Sequence, residues 1–476
     1  MTSVGIIGSG FAGIGVAIEL RRAGITDITL LEKAAELGGV WRENTYPGAA
    51  CDIPSPLYSF SYESHHAWGY RYSGQAEIHD YLKNVANKYG IDELIRYETE
   101  VADAEYDGRW HVTTTDGQKL EFDVLIPAVG QLSRPALPEI PGMETFQGTM
   151  FHSARWNHDH DLTGKRVAVI GTGASAIQFV PRIQPQVRSL KLFQRTPPYV
   201  LPKPDRRYTR WHQALFQRFP KTRTAGRAGI WAVGELMTKG LIGHRGIAKA
   251  VQRLALTFLK LQVRDRKLRA KLTPDYPAGC KRILFANDYY PALAKPNVRL
   301  ETGRITEITP RGVRTEDGVE HQVDTIIFGT GFDTTDFLAP MRIRGRDGQD
   351  LRADAWAKGA RAYLGISVPR FPNLFLMYGP NTNLGGGSIV YMIERQARYI
   401  ARLVRYLRPG QAIEVRPEVA ERFDEEMQRR LADTVWTSCD NWYRVSSGRV
   451  ISNWPGLVSE YDRRTRTSDR AAYVIR

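Results

Sequence analysis

Twice in this chain an apolar stretch runs into a glycine-rich turn, and the residue 24 positions beyond the first glycine is charged, with opposite sign in the two copies. Gly8-Ser9-Gly10-Phe11-Ala12-Gly13 leads to Glu32, and Gly171-Thr172-Gly173-Ala174-Ser175-Ala176 leads to Arg195. In a strand–turn–helix–strand unit such glycines let backbone N–H groups at the helix start approach a pyrophosphate. The residue ending the second strand then reads the ribose: an acid accepts from its hydroxyls, whereas an Arg pairs with a 2′-phosphate. The expectation is an α/β protein with two Rossmann-like dinucleotide-binding domains, FAD-like first and NADPH second. Gly8, Gly10, Gly13, Glu32 and Lys33 are assigned to the first site. Gly171, Gly173, Ser175, Arg195 and Thr196 are assigned to the second, the Thr196 hydroxyl adding to the phosphate contacts.

The duplication organises the rest of the chain. Strands are expected at Val4–Ile7, Ile28–Glu32 and Asp123–Val129 in the first unit, and at Arg166–Ile170 and Leu190–Gln194 in the second. Asp324–Phe328, followed by Gly329-Thr330-Gly331, reads as a strand that rejoins the first unit. Ser388 opens a helix through Leu407 whose N-terminus offers free N–H groups and a positive dipole end. The expected boundaries are 1–142 plus 323–476 for the FAD domain, 143–207 plus 272–322 for the NADPH domain, and 208–271 for a helical insertion in the latter.

That insertion carries the charge. From Lys203 to Lys271 there are eighteen Lys/Arg and three acids, which accounts for the whole formal excess of +15. One reading is a solvated basic face. The other is peripheral contact with anionic lipid, since Ile247, Val251, Leu254, Phe258 and Leu261 recur at helical spacing between basic residues. No nucleic-acid motif accompanies the charge. No uncharged apolar run reaches the roughly 18 residues of a membrane span. With 42% apolar and 25% charged residues, and no leader visible after Met1, the expected setting is cytoplasmic. Cys51, Cys280 and Cys439 lie far apart without a Cys-x-x-Cys pair, so neither a disulfide nor a metal site is expected. Cys51 is not read as a redox thiol, because its partner position is Pro56. His158 and His160 lack a third ligand, and His65-His66 reads as surface.

Between the two fingerprints lies Phe146-x-Gly148-x-x-x-His152-x-x-x-Trp156. Here the chain resembles the class B flavoprotein monooxygenases of the Baeyer–Villiger type, and the resemblance covers nearly its whole length. Leu37-Gly38-Gly39-Val40-Trp41 resembles the segment that wraps the flavin, implying contacts from Gly39 and Trp41. Tyr46 to Asp52 resembles the stretch with the family's active-site Asp, and Gly279-Cys280-Lys281-Arg282 the one with its Arg. The resemblance therefore implies Asp52 and Arg282 as catalytic, Asp52 also at the cofactor, and Lys281 on the NADPH phosphate. It further implies flavin contacts from Gly331, Asn381 and Ser388, and a domain-coupling role for His152 and Trp156.

By that resemblance the chain is an FAD-dependent NADPH monooxygenase. It inserts one atom of molecular oxygen next to the carbonyl of a small apolar ketone, through a flavin peroxide, giving an ester or lactone. A fixed guanidinium at Arg282 suits an anionic intermediate, with Asp52 orienting it. From the residues alone, Asp52 also fits a buried turn cap, and Arg282 a second phosphate contact. Oxygenation of an amine or sulfide, an uncoupled NADPH oxidase, and a lipid-surface protein with a structural flavin are the competing readings.

Overall fold

The computed structural model describes residues 2–64, 67–219 and 221–476, so His65-His66 lies outside the described residues. The first sheet is built from β1 (Val4–Ile7), β2 (Ile28–Leu31), β3 (Ile95–Arg96) and β4 (Val124–Pro127). The strands are parallel in the order β3-β2-β1-β4. Every residue of β1 and β4 is buried, as befits a parallel sheet covered on both faces. Helix α1 (Phe11–Arg22) starts at the first glycine turn. A Cβ on Gly13 would stand 1.9 Å from the Gly8 carbonyl oxygen, so only glycine lets α1 leave the strand this closely. Residues 373–377 extend the sheet: Leu125 N–H donates to Asn373 O, and Phe375 N–H to Leu125 O, each at 3.0 Å.

The second sheet comprises β5 (Thr149–His152), β6 (Arg166–Ile170), β7 (Ser189–Phe193), β8 (Val298–Glu301) and β9 (Thr325–Phe328). They run parallel in the order β8-β7-β6-β9-β5, and α2 (Ala176–Ile183) follows β6. The strand at Asp324–Phe328 was expected to rejoin the first unit, and this is corrected. β9 lies inside the second sheet, with Thr325 opposite Val167 on one side and Thr149 on the other. Asp324 locks it there, accepting from the Arg166 N–H at 2.8 Å and from its guanidinium at 2.6 Å. A buried Thr-Ile-Ile-Phe run suits the centre of either sheet, so its pattern could not choose between them.

The basic stretch forms α3 (Arg210–Arg218), α4 (Lys221–Leu241), α5 (Arg245–Gln262) and α6 (Arg266–Lys271). The chain enters it after Val200–Leu201 and leaves before Leu284–Phe285, two short segments paired in parallel. Glu235, the one acid of α4, accepts from the N–H groups of Val458 and Ser459 at 2.8 and 3.3 Å. A carboxylate thus sits at the positive end of the helix Val458–Thr465 and ties the insertion to the C-terminal region. The apolar stripe of α5 is divided: Ala255 and Leu259 are buried and Phe258 packs on Tyr290, whereas Leu261 is 74% exposed. Among the described residues no helix is long and apolar enough to cross a membrane.

The cysteine reading is also corrected. Cys280 and Cys439 form a disulfide with Cα atoms 6.1 Å apart, although 159 positions separate them in sequence. Folding brings the Gly279–Arg282 stretch against the segment from Trp436 to Tyr443, a proximity that spacing cannot reveal. Cys51 is free and buried.

Candidate active site

The two nucleotide folds meet along residues 43–52. Tyr46 donates its hydroxyl to Gln178 Oε1, and Gln178 Nε2 donates to the Ala50 carbonyl, both at 2.9 Å. Arg155 reaches Glu43 at 3.2 Å across the same seam. Above it opens a cavity of about 1530 Å³. Its walls include Trp41 and Asp52 from the first fold, the turn Gly171–Ser175, Arg195 and Thr196 from the second, and Lys281 and Arg282.

At the seam Arg282 Nη2 donates to Asp52 Oδ2 at 2.6 Å, and Nε donates to the same oxygen at 3.2 Å. The Asp52 charge holds the guanidinium above its ordinary range, against the opposing pull of burial. The 38% of the Arg282 side chain that remains accessible faces the cavity. Around the pair stand Tyr443, whose phenol burial pushes up to about 12, and Tyr378, likewise raised by burial. Burial also pushes the Cys51 thiol far up, which makes it a poor nucleophile.

Arg195 and Lys281 share one end of the cavity. Lys281 is held below its ordinary range, first by burial and then by the charge of Arg195. Among the described residues neither side chain forms an ion pair, and Lys281 Nζ sits 5.2 Å over the Tyr276 ring. Two cations gathered here, with Asp440 and Asp275 acting on Lys281 only through space, suit an added anion such as a 2′-phosphate. Gly171 adopts φ +108°, and a Cβ there would meet the Gly329 carbonyl at 2.4 Å, so the turn at the second fingerprint requires glycine. Thr196 has its carbonyl, not its hydroxyl, engaged, accepting from Thr172 at 3.1 Å.

Not all the expected residues reach this cavity. Gly8, Gly10, Gly13, Glu32, Lys33 and Gly39 lie outside its walls. Glu32 is buried and accepts from Ser9 N–H and Oγ, from Ala34 N–H and from Arg42 Nη1, at 2.6–3.1 Å. Lys33 faces Glu43 at 3.8 Å. Asn381 was expected at the flavin, but its amide donates to Val450 O and Asn453 O and does not line the cavity; Asn383, two residues on, does. Ser388, the N-cap of α7 (Ile389–Arg405), also lies outside the cavity walls, and its buried Oγ has no hydrogen-bond partner among the described residues. Gly331 lines the cavity and Asn383, Trp442 and Gln178 were missed, because nothing in their spacing marks them.

The signature residues sit behind the cavity. Gly148 lets β5 approach β9, since a Cβ would stand 2.4 Å from Asp324 O, and Phe146 packs alongside. His152 lies opposite Phe328 in the sheet, beside Phe332 with ring centroids 5.9 Å apart, and burial keeps it below its ordinary range. Trp156 packs between Phe151 and Phe179, at 5.1 and 5.3 Å. His158 bonds to Thr45, and His160 to Thr325 and Thr149.

Two nucleotide folds with an Asp–Arg pair at their seam define a flavin- and nicotinamide-dependent oxidoreductase, and the comparisons give the class its name. A family model described as pyridine nucleotide-disulphide oxidoreductase matches residues 5–199. A Baeyer–Villiger monooxygenase of Streptomyces coelicolor is 44% identical over 99% of this chain and 92% of its own length. One from Pseudomonas aeruginosa is 45% identical over 99% and 91%. Among solved structures, an oxidised steroid monooxygenase bound to NADP superposes with a TM-score of 0.89 at 30% identity. A closed cyclohexanone monooxygenase does so with the same score at 28%, and each alignment covers 100% of this chain and 99% of the other. The chain belongs to the Baeyer–Villiger monooxygenases. It is an FAD-dependent NADPH monooxygenase that inserts one oxygen beside a ketone carbonyl.

Proposed function

We propose that the reaction centre is the Asp52–Arg282 pair, with a small apolar ketone held over it by the insertion. Bound FAD supplies the oxygen-activating chemistry, reduced by NADPH. Gly8, Gly10, Gly13, Glu32, Gly39, Trp41, Gly331 and Ser388 would hold the former; Gly171, Gly173, Ser175, Arg195, Thr196 and Lys281 the latter. The orphaned Ser388 Oγ and the paired cations Arg195 and Lys281 support this division.

Arg282 cannot lose its proton, so it presents a permanent positive charge and rigid N–H donors to oxygen that gains negative charge during the reaction. Asp52 fixes the direction of that fork by taking both Nε and Nη2 on one oxygen, leaving Nη1 unclaimed by it. Ile230, Val233 and Met237 of α4 and Val251 and Leu254 of α5 give the cavity an apolar wall. Such a wall favours an apolar substrate and keeps water from the reacting carbonyl. The 2.6 Å contact between Arg282 and Asp52, on the cavity wall at the seam, carries this reading.

The test is a ketone panel with NADPH and oxygen, products identified by mass, on the wild type and Arg282→Ala. The variant should still oxidise NADPH but form no ester; full ester formation by it removes Arg282 from the centre. A second reading gives residues 203–271 a peripheral contact with anionic lipid. It is favoured by Trp211, Phe219 and Leu261, which are 68%, 56% and 74% exposed within the basic segment. Flotation with anionic vesicles at low salt checks it, and absence of binding ends it.

A further inference from the structure

Arg282 does its work from irregular chain. Lys281 and Arg282 lie between α6 and the short segment Leu284–Phe285, in neither helix nor strand. Trp442 and Tyr443 lie in the loop that follows the helical turn Val435–Thr437. A loop holds a side chain less precisely than a helix or strand does, so the geometry of such a site depends on what ties its loops down. Here the Cys280–Cys439 disulfide ties one loop to the other. Arg282 follows Cys280 by two positions, and Trp442 follows Cys439 by three.

Both tied segments reach the site. Trp442 lines the main cavity, and the buried Tyr443 feels the charges of Arg282 and Asp52. Asn441 spans the junction. Its Nδ2 donates to Trp436 O at 2.8 Å and to Cys439 O at 3.1 Å, and it lies 3.6 Å from Cys280 Sγ. Its Oδ1 accepts from the Tyr443 N–H at 3.0 Å. On the far side Gly279, at φ +94°, brings the chain close to α4, where a Cβ would stand 2.2 Å from Leu241 Cδ2. The apolar cluster under the loop is small: Leu241, Leu431, Trp436, Tyr443 and Val450.

We propose that the Cys280–Cys439 disulfide is a clamp on the reaction centre that dithiols can open, with Cys280 and Cys439 as positioning residues that keep ester formation coupled to NADPH oxidation. This rests on the reaction centre proposed above. Cys280 is wholly buried and Cys439 partly exposed, so an incoming thiolate meets Cys439 first. It attacks Cys439 Sγ, the bridge breaks, and Cys280 leaves as a thiolate that takes up a proton. The second thiol of the reductant then displaces Cys439, which is protonated in turn. Two electrons and two protons pass to the protein, and the reductant becomes a cyclic disulfide. An added disulfide reverses the exchange.

The test begins by alkylating the FAD-loaded enzyme after unfolding it without reductant. One reactive thiol, Cys51, is expected; three would overturn the proposal. Ester formed per NADPH is then measured for the bridged enzyme, for enzyme reduced with dithiothreitol and freed of it, and after reoxidation with oxidised glutathione. Reduction should lower the ratio by about tenfold to a hundredfold, the scale of a misplacement near 1 Å, with hydrogen peroxide appearing in place of ester. Reoxidation should restore it. Cys439→Ser should show the low ratio with or without dithiol, and reversible reduction of the wild type supplies the same readout should that variant fold poorly. A ratio unchanged by reduction overturns the clamp and leaves the reaction centre standing. Parallel loss of ester formation and NADPH oxidation, with a lowered Tm, shows a merely structural bridge and also overturns it. Ester formation that persists in Arg282→Ala and still falls on reduction upholds the clamp and sinks Arg282 as the centre.

Discussion

Arg195 bears on Lys281 through space: its charge adds to burial in holding the Lys281 ammonium below the ordinary lysine range. Replacing Arg195 with Gln should raise KM for NADPH on the order of tenfold to a hundredfold while leaving NADH nearly unaffected. An unchanged NADPH-to-NADH ratio would assign the phosphate to another residue.

The same pair predicts a pH effect. A lysine attracts phosphate only when protonated, so a lowered pKa means that attraction fades at a lower pH than usual. KM for NADPH should therefore climb on the alkaline side, earlier than for an unperturbed lysine. In Arg195→Gln one of the depressing causes is gone, so the climb should move to higher pH. A profile that stays in place, measured across the alkaline range, contradicts the coupling.

Asp52→Asn keeps the shape of the Arg282 partner but removes its charge. Ester formation should fall by roughly a hundredfold, in line with loss of one preorganised electrostatic contact, with NADPH oxidation less affected. Arg282→Lys should not rescue, because an ammonium on a flexible stem cannot reproduce the rigid planar Nε and Nη2 fork that Asp52 now receives on one oxygen. Recovery of coupling in the Lys variant would mean that charge alone suffices.

Trp156→Ala should lower stability by about 2 kcal/mol, below the usual loss for a wholly buried Trp because this one is only partly covered. Thermal unfolding of the FAD-loaded enzyme measures it. An unaltered Tm would show that the contacts with Phe151 and Phe179 are unimportant to the fold.

A carboxylate network near the C-terminus predicts acid sensitivity. Arg464 hydrogen bonds lower the Glu426 pKa; burial works to raise that of Glu460, but the forked Arg430 and Arg464 outweigh it. Groups with depressed folded-state pKa values stabilise above their unfolded value, and that contribution drains away as pH falls through the folded value. Glu426→Gln should therefore melt below the wild type at pH 7, with the gap closing under about pH 4. A gap independent of pH would rule the network out as its cause.

Much of this was legible in the chain because it is local. The glycine turns, the strands ending near Glu32 and Arg195 and the start of α7 depend on neighbours a few residues away. Asp52 and Arg282 were reached by resemblance, since 230 positions separate two residues that pair through one carboxylate oxygen. What stayed hidden depends on tertiary contact. β9 could have joined either sheet, and the Cys280–Cys439 bridge spans 159 positions. Asn381 and Asn383 differ only in which way a buried loop turns them, and the mixed layer of Val101–Phe122 with Arg342–Arg344 was not anticipated.

The parallel pairing of Val200–Leu201 with Leu284–Phe285 closes the insertion at its base. The helices from Arg210 to Lys271 leave and return above this base, and on the way back the chain brings Lys281 and Arg282 to the seam. The helices thus form a cassette whose cavity-facing side can change while both nucleotide folds stay in place, so long as Leu259 and Val263 keep their seat in the core of the second fold. A protein built this way can change its choice of ketone while inheriting its redox machinery intact, provided that Glu235 and its hold on the Val458–Thr465 helix are carried along.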